Sequence, residues 1–559
     1  MVQGVSRPAN ERADMSVQGS AANPKRWPLT KAVTALLCFA GIMQALSLAW
    51  PFKGMDGAPL AWLQCVSFAI YAGVLDRCRD KKQAFATGWL FAFAWLVGCT
   101  WWLFISMHTY GGLPAPMAAL GVALLAGGHA LIYGAAAAVF NALTKSGLGI
   151  FSRASAFAAL WGLAEILRGS LFTGFPWGAV GYAHIDGLLQ HWAPWFGVYG
   201  LSAIAAFIAM AIGAERRRHM DSTRTVQIGV FITVTALGFA WFTSPSNTLV
   251  GADASQKPIR VTLLQGNIPQ DLKFAEGVRQ SLNDYRAALL SNTSDLVVTP
   301  ETAIPLIQQQ MPDGYWGQLE AHFAKGSHVA LIGVPVAKKA ELGQLQYSNS
   351  AVALMPQASP ATLANYQYDK HHLVPFGEFV PPLFQWFVRM MNIPLGDFTR
   401  GDLAQPSLVV KGERIAPNIC YEDLFGEELA RSFADPDKAP TMMVNLSNIA
   451  WFGDTVAIDQ HLNISRMRAL EMGRPMLRAT NTGATAIINA QGQVTHRLPS
   501  AVQGALTAEV YGVHGPVTPY ARWVSIFGLW PLAGLAVLTL LIVAAMAHAS
   551  RHGQRRFGP

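Results

Sequence analysis

Long apolar runs, each near the length of a membrane crossing, alternate with short polar connections through the first half of the chain, and one more closes it. A bilayer core about 30 Å thick needs roughly 20 helical residues. Runs at about 28–50, 58–75, 84–107, 116–142, 154–172, 195–214, 226–243 and 524–548 come near that length. The pattern predicts a polytopic α-helical membrane protein with about eight transmembrane helices. The first run is too long for a signal-peptide core and lacks a small-residue cleavage site, so it reads as a retained helix. A polar tail at 1–27 precedes it.

From about 250 to 515 the pattern changes: charged residues, Asn, Gln and Pro return, and the apolar runs shorten to strand length. Ile259–Gln265, Leu296–Thr299, Val329–Val336, Ala351–Met355, Ile415–Ile419, Met442–Leu446 and Ala484–Asn489 are mostly near-continuous and β-branched, as strands covered on both faces are. Amphipathic stretches at about 275–290, 314–325, 424–434 and 459–473 predict helices between them. The segment therefore reads as a mixed α/β domain whose sheets are covered by helices. The expected layout is a tail at 1–27, seven membrane helices within 28–249, this domain at 250–515, a last membrane helix within 516–549 and a tail at 550–559.

Composition agrees with a largely membrane-embedded chain. Of 559 residues, 52% are hydrophobic and 13% charged, against about 25% charged in an average soluble protein. The net charge of +8 raises nucleic acid as a partner, but the placement of the basic residues argues against it. Alternate short connections carry thirteen Lys and Arg, including Arg77, Arg79, Lys145, Arg216, Arg217 and Arg551, whereas the opposite set carries Lys53 and Arg168 alone. This is a topology signal. It puts both termini in the cytoplasm and the 250–515 domain outside. Five cysteines, mostly in apolar runs, do not form a disulfide framework, and no paired-cysteine spacing suggests a metal; no cofactor is expected.

Candidate chemistry lies where strands give way to loops, the place where side chains converge in α/β domains. Glu301 follows Leu296–Pro300, Lys370 sits in Tyr368–His372, and Cys420 ends the apolar run Ile415–Ile419. A thiol attacks well as thiolate, so a carboxylate base and a cation to hold developing negative charge would complete an acyl-transfer site. Spacing alone leaves open a surface carboxylate, a surface amine and an inert buried cysteine. In the membrane part, Glu165 and Arg168 lie three apart on one helical face, where ionisable groups are paired or face a water-filled path. Both an internal ion pair and a substrate-path role stand open. The turn Thr173-Gly174-Phe175-Pro176-Trp177 reads as an interfacial anchor or a loop that grips lipid.

Cys420-Tyr421-Glu422 after one apolar strand, Pro300-Glu301 after another, and Lys370 followed by Leu373-Val374-Pro375-Phe376-Gly377-Glu378-Phe379-Val380-Pro381 together resemble the nitrilase superfamily. The added membrane helices are similar to its apolipoprotein N-acyltransferase branch, and Gln265-Gly266-Asn267-Ile268-Pro269-Gln270, Gly174–Trp177, Arg466–Leu470 and Thr480-Asn481-Thr482-Gly483 match further blocks. The resemblance implies an αββα sandwich for the outer domain. It also implies Glu301 as general base, Lys370 as stabiliser of the tetrahedral intermediate and Cys420 as nucleophile. Glu378 would support Lys370 or the base, Tyr421 would offer its backbone N–H to the oxyanion, and Glu422 would brace the nucleophile loop. Trp451 and Phe452 would form a membrane-facing aromatic edge that guides acyl chains. The chain departs from the family pattern at Ile449, where the family usually has Asp, which removes a polar role from that position, and at Phe274, where it often has Trp; the second keeps an aromatic contact and loses an indole donor.

The activity so implied is ping-pong acyl transfer from a phospholipid, typically phosphatidylethanolamine, to the α-amine of a diacylglyceryl-cysteine apolipoprotein, at the outer face of a bacterial inner membrane. A monomer suffices for it. Because Glu301 would accept and return a proton in both halves, a raised carboxyl pKa is expected there. A membrane-tethered amidase using the same trio and a transporter or scaffold with a ligand-binding outer domain are the alternatives. Few charged residues along the membrane runs weigh against a translocation path.

Overall fold

The computed structural model describes residues 29–145, 148–214, 257–270, 277–339, 345–356, 366–380 and 398–556. Seven apolar helices occupy the predicted membrane runs: α1 (Lys31–Leu46), α2 (Ala61–Asp76), α3 (Lys81–Thr100), α4 (Ala115–Thr144), α5 (Ile150–Ser170), α6 (Ala193–Gly213) and, at the far end of the chain, Trp530–Arg556. Five of these are long and apolar enough to cross a membrane. The first two expected spans are corrected to helices of 16 residues, roughly 24 Å at 1.5 Å per residue. Each is cut short by polar turns, Ser47 closing α1 and Arg77 closing α2. The expected span at 226–243 lies outside the described residues, as does the tail at 1–27. Phe68, Tyr71, Phe91, Phe157 and Trp161 pack edge-on and stacked in the middle of the bundle.

The α/β domain contains two six-stranded sheets. Its strands are β1 (Ile259–Gln265), β2 (Leu296–Val298), β3 (Val329–Lys339), β4 (Leu345–Leu354), β5 (Tyr366–Asp369), β6 (Leu408–Val410), β7 (Glu413–Ile419), β8 (Met442–Ser447), β9 (Met476–Thr480), β10 (Ala486–Ile488), β11 (Val494–Arg497) and β12 (Gly504–Val510). They are ordered β12-β1-β2-β3-β4-β5 and β11-β10-β9-β8-β7-β6. The middle strands, β1-β2-β3 and β7-β8-β9, run parallel and the outer ones antiparallel. Ile259, Val261, Leu296 and Val298 of one sheet share a core with Ile415, Ile419, Val444 and Leu446 of the other, so the sheets lie face to face. Helices α7 (Gly277–Ser291) and α8 (Tyr315–Lys325) cover the first sheet. Helices α9 (Ala457–Met472) and α10 (Pro519–Phe527) cover the second. The helix at Trp530–Arg556 is α11.

The helix predicted at 424–434 is corrected to two short turns, Gly426–Leu429 and Ala430–Phe433. The backbone leaves helical geometry at Phe425 (φ −105°, ψ 79°), and the Cα of Gly426 lies so close to Arg468 and Glu471 that a Cβ there would come within 2.6 Å of both.

Helix α9 is shared. One side packs on the second sheet and the other on α6 of the membrane bundle. Asn463 donates to the carbonyls of Leu48 and Gly57, the Val198 N–H reaches Glu471 Oε1 at 2.7 Å, and Arg466 pairs with Asp186. The membrane helices thus hold the sheet that carries Cys420.

Candidate active site

Parallel strands end on one side of the sandwich, and the sequence places a polar residue just past several of them. Glu301 follows β2, Lys370 is the first residue after β5, and Cys420 the first after β7. Gly333 on β3 makes room for the Glu301 turn, since a Cβ there would lie 2.1 Å from the Pro300 carbonyl oxygen.

The structure brings Glu301, Lys370 and Glu378 into direct contact. Lys370 is 1% exposed, and its Nζ stands 3.0 Å from Glu301 Oε1 and 3.0 Å from Glu378 Oε1. Burial works against a charge on Lys370, but the two carboxylates outweigh it and hold its pKa above the ordinary lysine range. Glu301 Oε2 accepts the Asn448 N–H at 3.0 Å, and Glu378 Oε2 the Val374 N–H at 2.8 Å.

Cys420 is half-buried and has φ 52°, in the left-handed region where a non-glycine residue is strained. The turn Cys420–Leu424 begins on it. Burial pushes the thiol up to about 12; Glu301 adds to this, while Lys370, the Ser447 hydroxyl and the Asn448 N–H beside the sulfur act the other way. The resting thiol is therefore protonated. Glu422 collects donors from both sides of the site: Ile419 N–H at 2.6 Å, Tyr368 hydroxyl at 3.0 Å, His371 N–H at 2.7 Å and His372 N–H at 3.2 Å. It thereby ties the residue before Cys420 to the two after Lys370. Burial lifts the Glu422 carboxyl to about 7 against the pull of those donors.

Two family models match the chain: the apolipoprotein N-acyltransferase N-terminal domain over residues 40–211 and carbon-nitrogen hydrolase over residues 260–512. An apolipoprotein N-acyltransferase of Verminephrobacter eiseniae is 49% identical over 509 residues, covering 88% of this chain and 92% of that one. The chain belongs to the apolipoprotein N-acyltransferase family. A Ralstonia nicotianae protein of the same name is 45% identical, over 88% of this chain and 90% of its own length, and one of Bordetella bronchiseptica 39% identical, over 93% and 97%. The motif resemblance is thus borne out, and the matched hydrolase segment carries both sheets.

Within this family frame the other sequence candidates fall as follows. Glu165 and Arg168 are buried, yet they form no ion pair with each other. Glu165 accepts the Val180 N–H at 2.9 Å and the Trp161 indole N–H at 3.1 Å. Arg168 donates to the carbonyls of Phe175 and Trp177 and to the Tyr133 hydroxyl. Both clamp the loop after α5. Trp177 is 3% exposed, so it presents no ring to the surface; the exposed ring of this turn is Phe172, 95% exposed on a left-handed stretch. The Trp177 indole donates to Gln460 on α9 at 2.8 Å. Phe452 packs on Trp102 and Trp177, and Trp451 on Tyr110. Tyr421 donates its hydroxyl to the Gly174 carbonyl at 3.0 Å. Ile449 is buried among Phe433, Ile458 and Leu462, an apolar setting. Phe274 lies outside the described residues.

Sequence reading missed Asn349. On β4, its side-chain amide nitrogen donates to Glu301 Oε1 at 2.8 Å and to Glu378 Oε1 at 2.6 Å, and its backbone carbonyl accepts the Lys370 backbone N–H at 2.8 Å. It stands in the polar stretch Ser348-Asn349-Ser350 of β4, so the sequence did not single it out from its neighbours.

Proposed function

We propose that this bacterial membrane protein moves an acyl chain from a phospholipid, phosphatidylethanolamine in the first instance, to the N-terminal α-amine of a diacylglyceryl-cysteine apolipoprotein through a thioester on Cys420. The observation that carries the reading is a cysteine on a strained strand-end turn, close enough to the buried Glu301–Lys370 pair for both charges to act on its thiol. The relatives' name, apolipoprotein N-acyltransferase, supports the substrates.

In the first half Glu301 takes the thiol proton as the sulfur bonds to the ester carbonyl carbon. Negative charge passes to the carbonyl oxygen, beside Lys370 and the Tyr421 N–H. The C–O bond breaks, and the proton on Glu301 goes to the departing lysophospholipid. In the second half the neutral amine attacks the thioester, Glu301 takes its proton, the C–S bond breaks and the thiol is restored. Asn349 and Glu378 keep Lys370 aligned throughout. Trp451 and Phe452, against the membrane-side aromatics, offer acyl chains a route from the bilayer. Anchored substrates explain the membrane helices: a site at the bilayer surface searches laterally and spares the acyl chains a passage through water. The bias of Lys and Arg supports a periplasmic outer domain and cytoplasmic termini.

Purified protein incubated with phosphatidylethanolamine vesicles and weighed intact should gain one acyl chain, discharged by hydroxylamine and absent in Cys420→Ala. Wild type that stays unmodified while releasing ammonia from small amides would favour the amidase reading and sink this one.

A further inference from the structure

Behind Cys420 lies a buried polar cluster that none of these steps uses. Asp423, Asn445, His461, Ser465 and Arg478 are each at most 1% exposed. Asp423 Oδ1 is 2.9 Å from His461 Nε2. Its Oδ2 accepts the Ser465 hydroxyl at 2.5 Å and Arg478 at 3.1 Å. Arg478 also reaches His461 Nδ1 at 2.7 Å and Asn445 Oδ1 at 3.1 Å. Two members then touch the nucleophile: the Cys420 carbonyl oxygen is 3.2 Å from Asn445 Nδ2 and 3.3 Å from His461 Nε2.

The chemistry of these groups fixes the proton on His461. A guanidinium only donates, so Nδ1, facing Arg478, must accept. The ring proton is therefore on Nε2, where two acceptors, Asp423 and the Cys420 carbonyl, await it. Burial and then Arg478 press the His461 pKa down, in keeping with a neutral ring. Asp423 stays ionised because the donors of His461, Arg478 and Ser465 outweigh its burial.

The held carbonyl belongs to a residue in a conformation that persists only where surroundings over-determine it. The cluster also has a membrane-side contact. The Trp177 ring lies 5.3 Å from the His461 imidazole, on the loop that Glu165 and Arg168 clamp from α5.

We propose that Asp423, His461 and Arg478 are positioning residues that set the Cys420 backbone through its carbonyl, and that Trp177 makes this setting depend on how the membrane helices seat α9. The inference rests on Cys420 being the nucleophile. A cluster that merely glued α9 to the sheet would alter melting and leave the reactivity of Cys420 in folded protein unchanged.

The test reads Cys420 directly. Full-length protein in detergent is treated with iodoacetamide, which forms an S–C bond, expels iodide and gives the thiol proton to buffer, and modification of Cys420 is followed by peptide mass. His461→Ala should slow alkylation about tenfold, the scale of one lost buried hydrogen bond. His461→Gln, whose amide places an N–H near the Nε2 position, should recover most of the rate. Trp177→Leu should slow it about threefold with no charged group touched. Folded His461→Ala that alkylates at the wild-type rate, or His461→Gln as slow as His461→Ala, overturns the proposal. Should His461→Ala not fold, Trp177→Leu decides, and a wild-type rate there overturns it. Acylation that survives in Cys420→Ala would instead remove the nucleophile assignment, an outcome the alkylation rates do not share.

Discussion

Lys370 stands between two carboxylates it cannot both neutralise, and that imbalance has measurable consequences. Lys370→Met leaves Glu301 and Glu378 buried without a cation, and removing one partner of a buried pair costs about 3–5 kcal/mol. On the proposed mechanism it also withdraws the charge beside the forming oxyanion, a loss of about a hundredfold to a thousandfold in rate. Acyl uptake by intact mass and chemical denaturation should show both effects together; loss of activity with full stability would mean the carboxylates do not depend on Lys370. At this scale the sequence was legible where chemistry is rare. Cys420 is the one cysteine of the 250–515 domain, and Glu301 and Lys370 sit at strand ends. Asn349, Asn445 and His461 were not legible, because their roles arise from neighbours tens of residues away: Asn349 is 48 positions from Glu301, and His461 is 41 from Cys420.

Among the elements, strands with continuous apolar runs were readable, β1 to the residue. Strand β9 was not, because Arg478 interrupts its apolar run, and the structure shows that charge to be fully buried against Asp423. The short Gly426–Leu429 turn places Glu427 within electrostatic reach of Arg468, Glu428 and Glu471. Burial, with Glu428 and Glu471 adding to it, lifts the Glu427 carboxyl from about 4.5 to about 8. A raised carboxyl keeps its proton longer in the folded state, so its contribution is full below about pH 4.5 and is lost as pH rises to about 8. Glu427→Gln removes that dependence. The melting temperature of wild type relative to Glu427→Gln should be highest near pH 5 and decline toward pH 8; a gap that is flat or widens with pH contradicts the assignment.

For the whole molecule, the division into apolar helices and an α/β domain was plain from hydropathy, and the dependence of one on the other was not. Hydropathy marks α9 as an amphipathic domain helix, yet Gln460, Asn463, Arg466 and Glu471 all bond to the membrane half. Residues 257–515 produced alone would leave these groups without partners. Such a fragment should aggregate or show a Cys420 alkylation rate well below that of the full chain. A soluble fragment with full-length reactivity would show the two halves to be independent.

The loop that Glu165 and Arg168 clamp carries a final consequence, for the order in which the protein becomes active in the cell. Trp177 can meet His461 only once α5 has been inserted and α9, nearly 300 residues later in the chain, has been made and folded. On the proposed setting, Cys420 takes its final backbone geometry last, after both halves are in place. On the proposed mechanism, a chain still under synthesis, or one whose α/β domain has folded away from its helices, holds a slower cysteine and takes acyl chains from the surrounding lipid less readily.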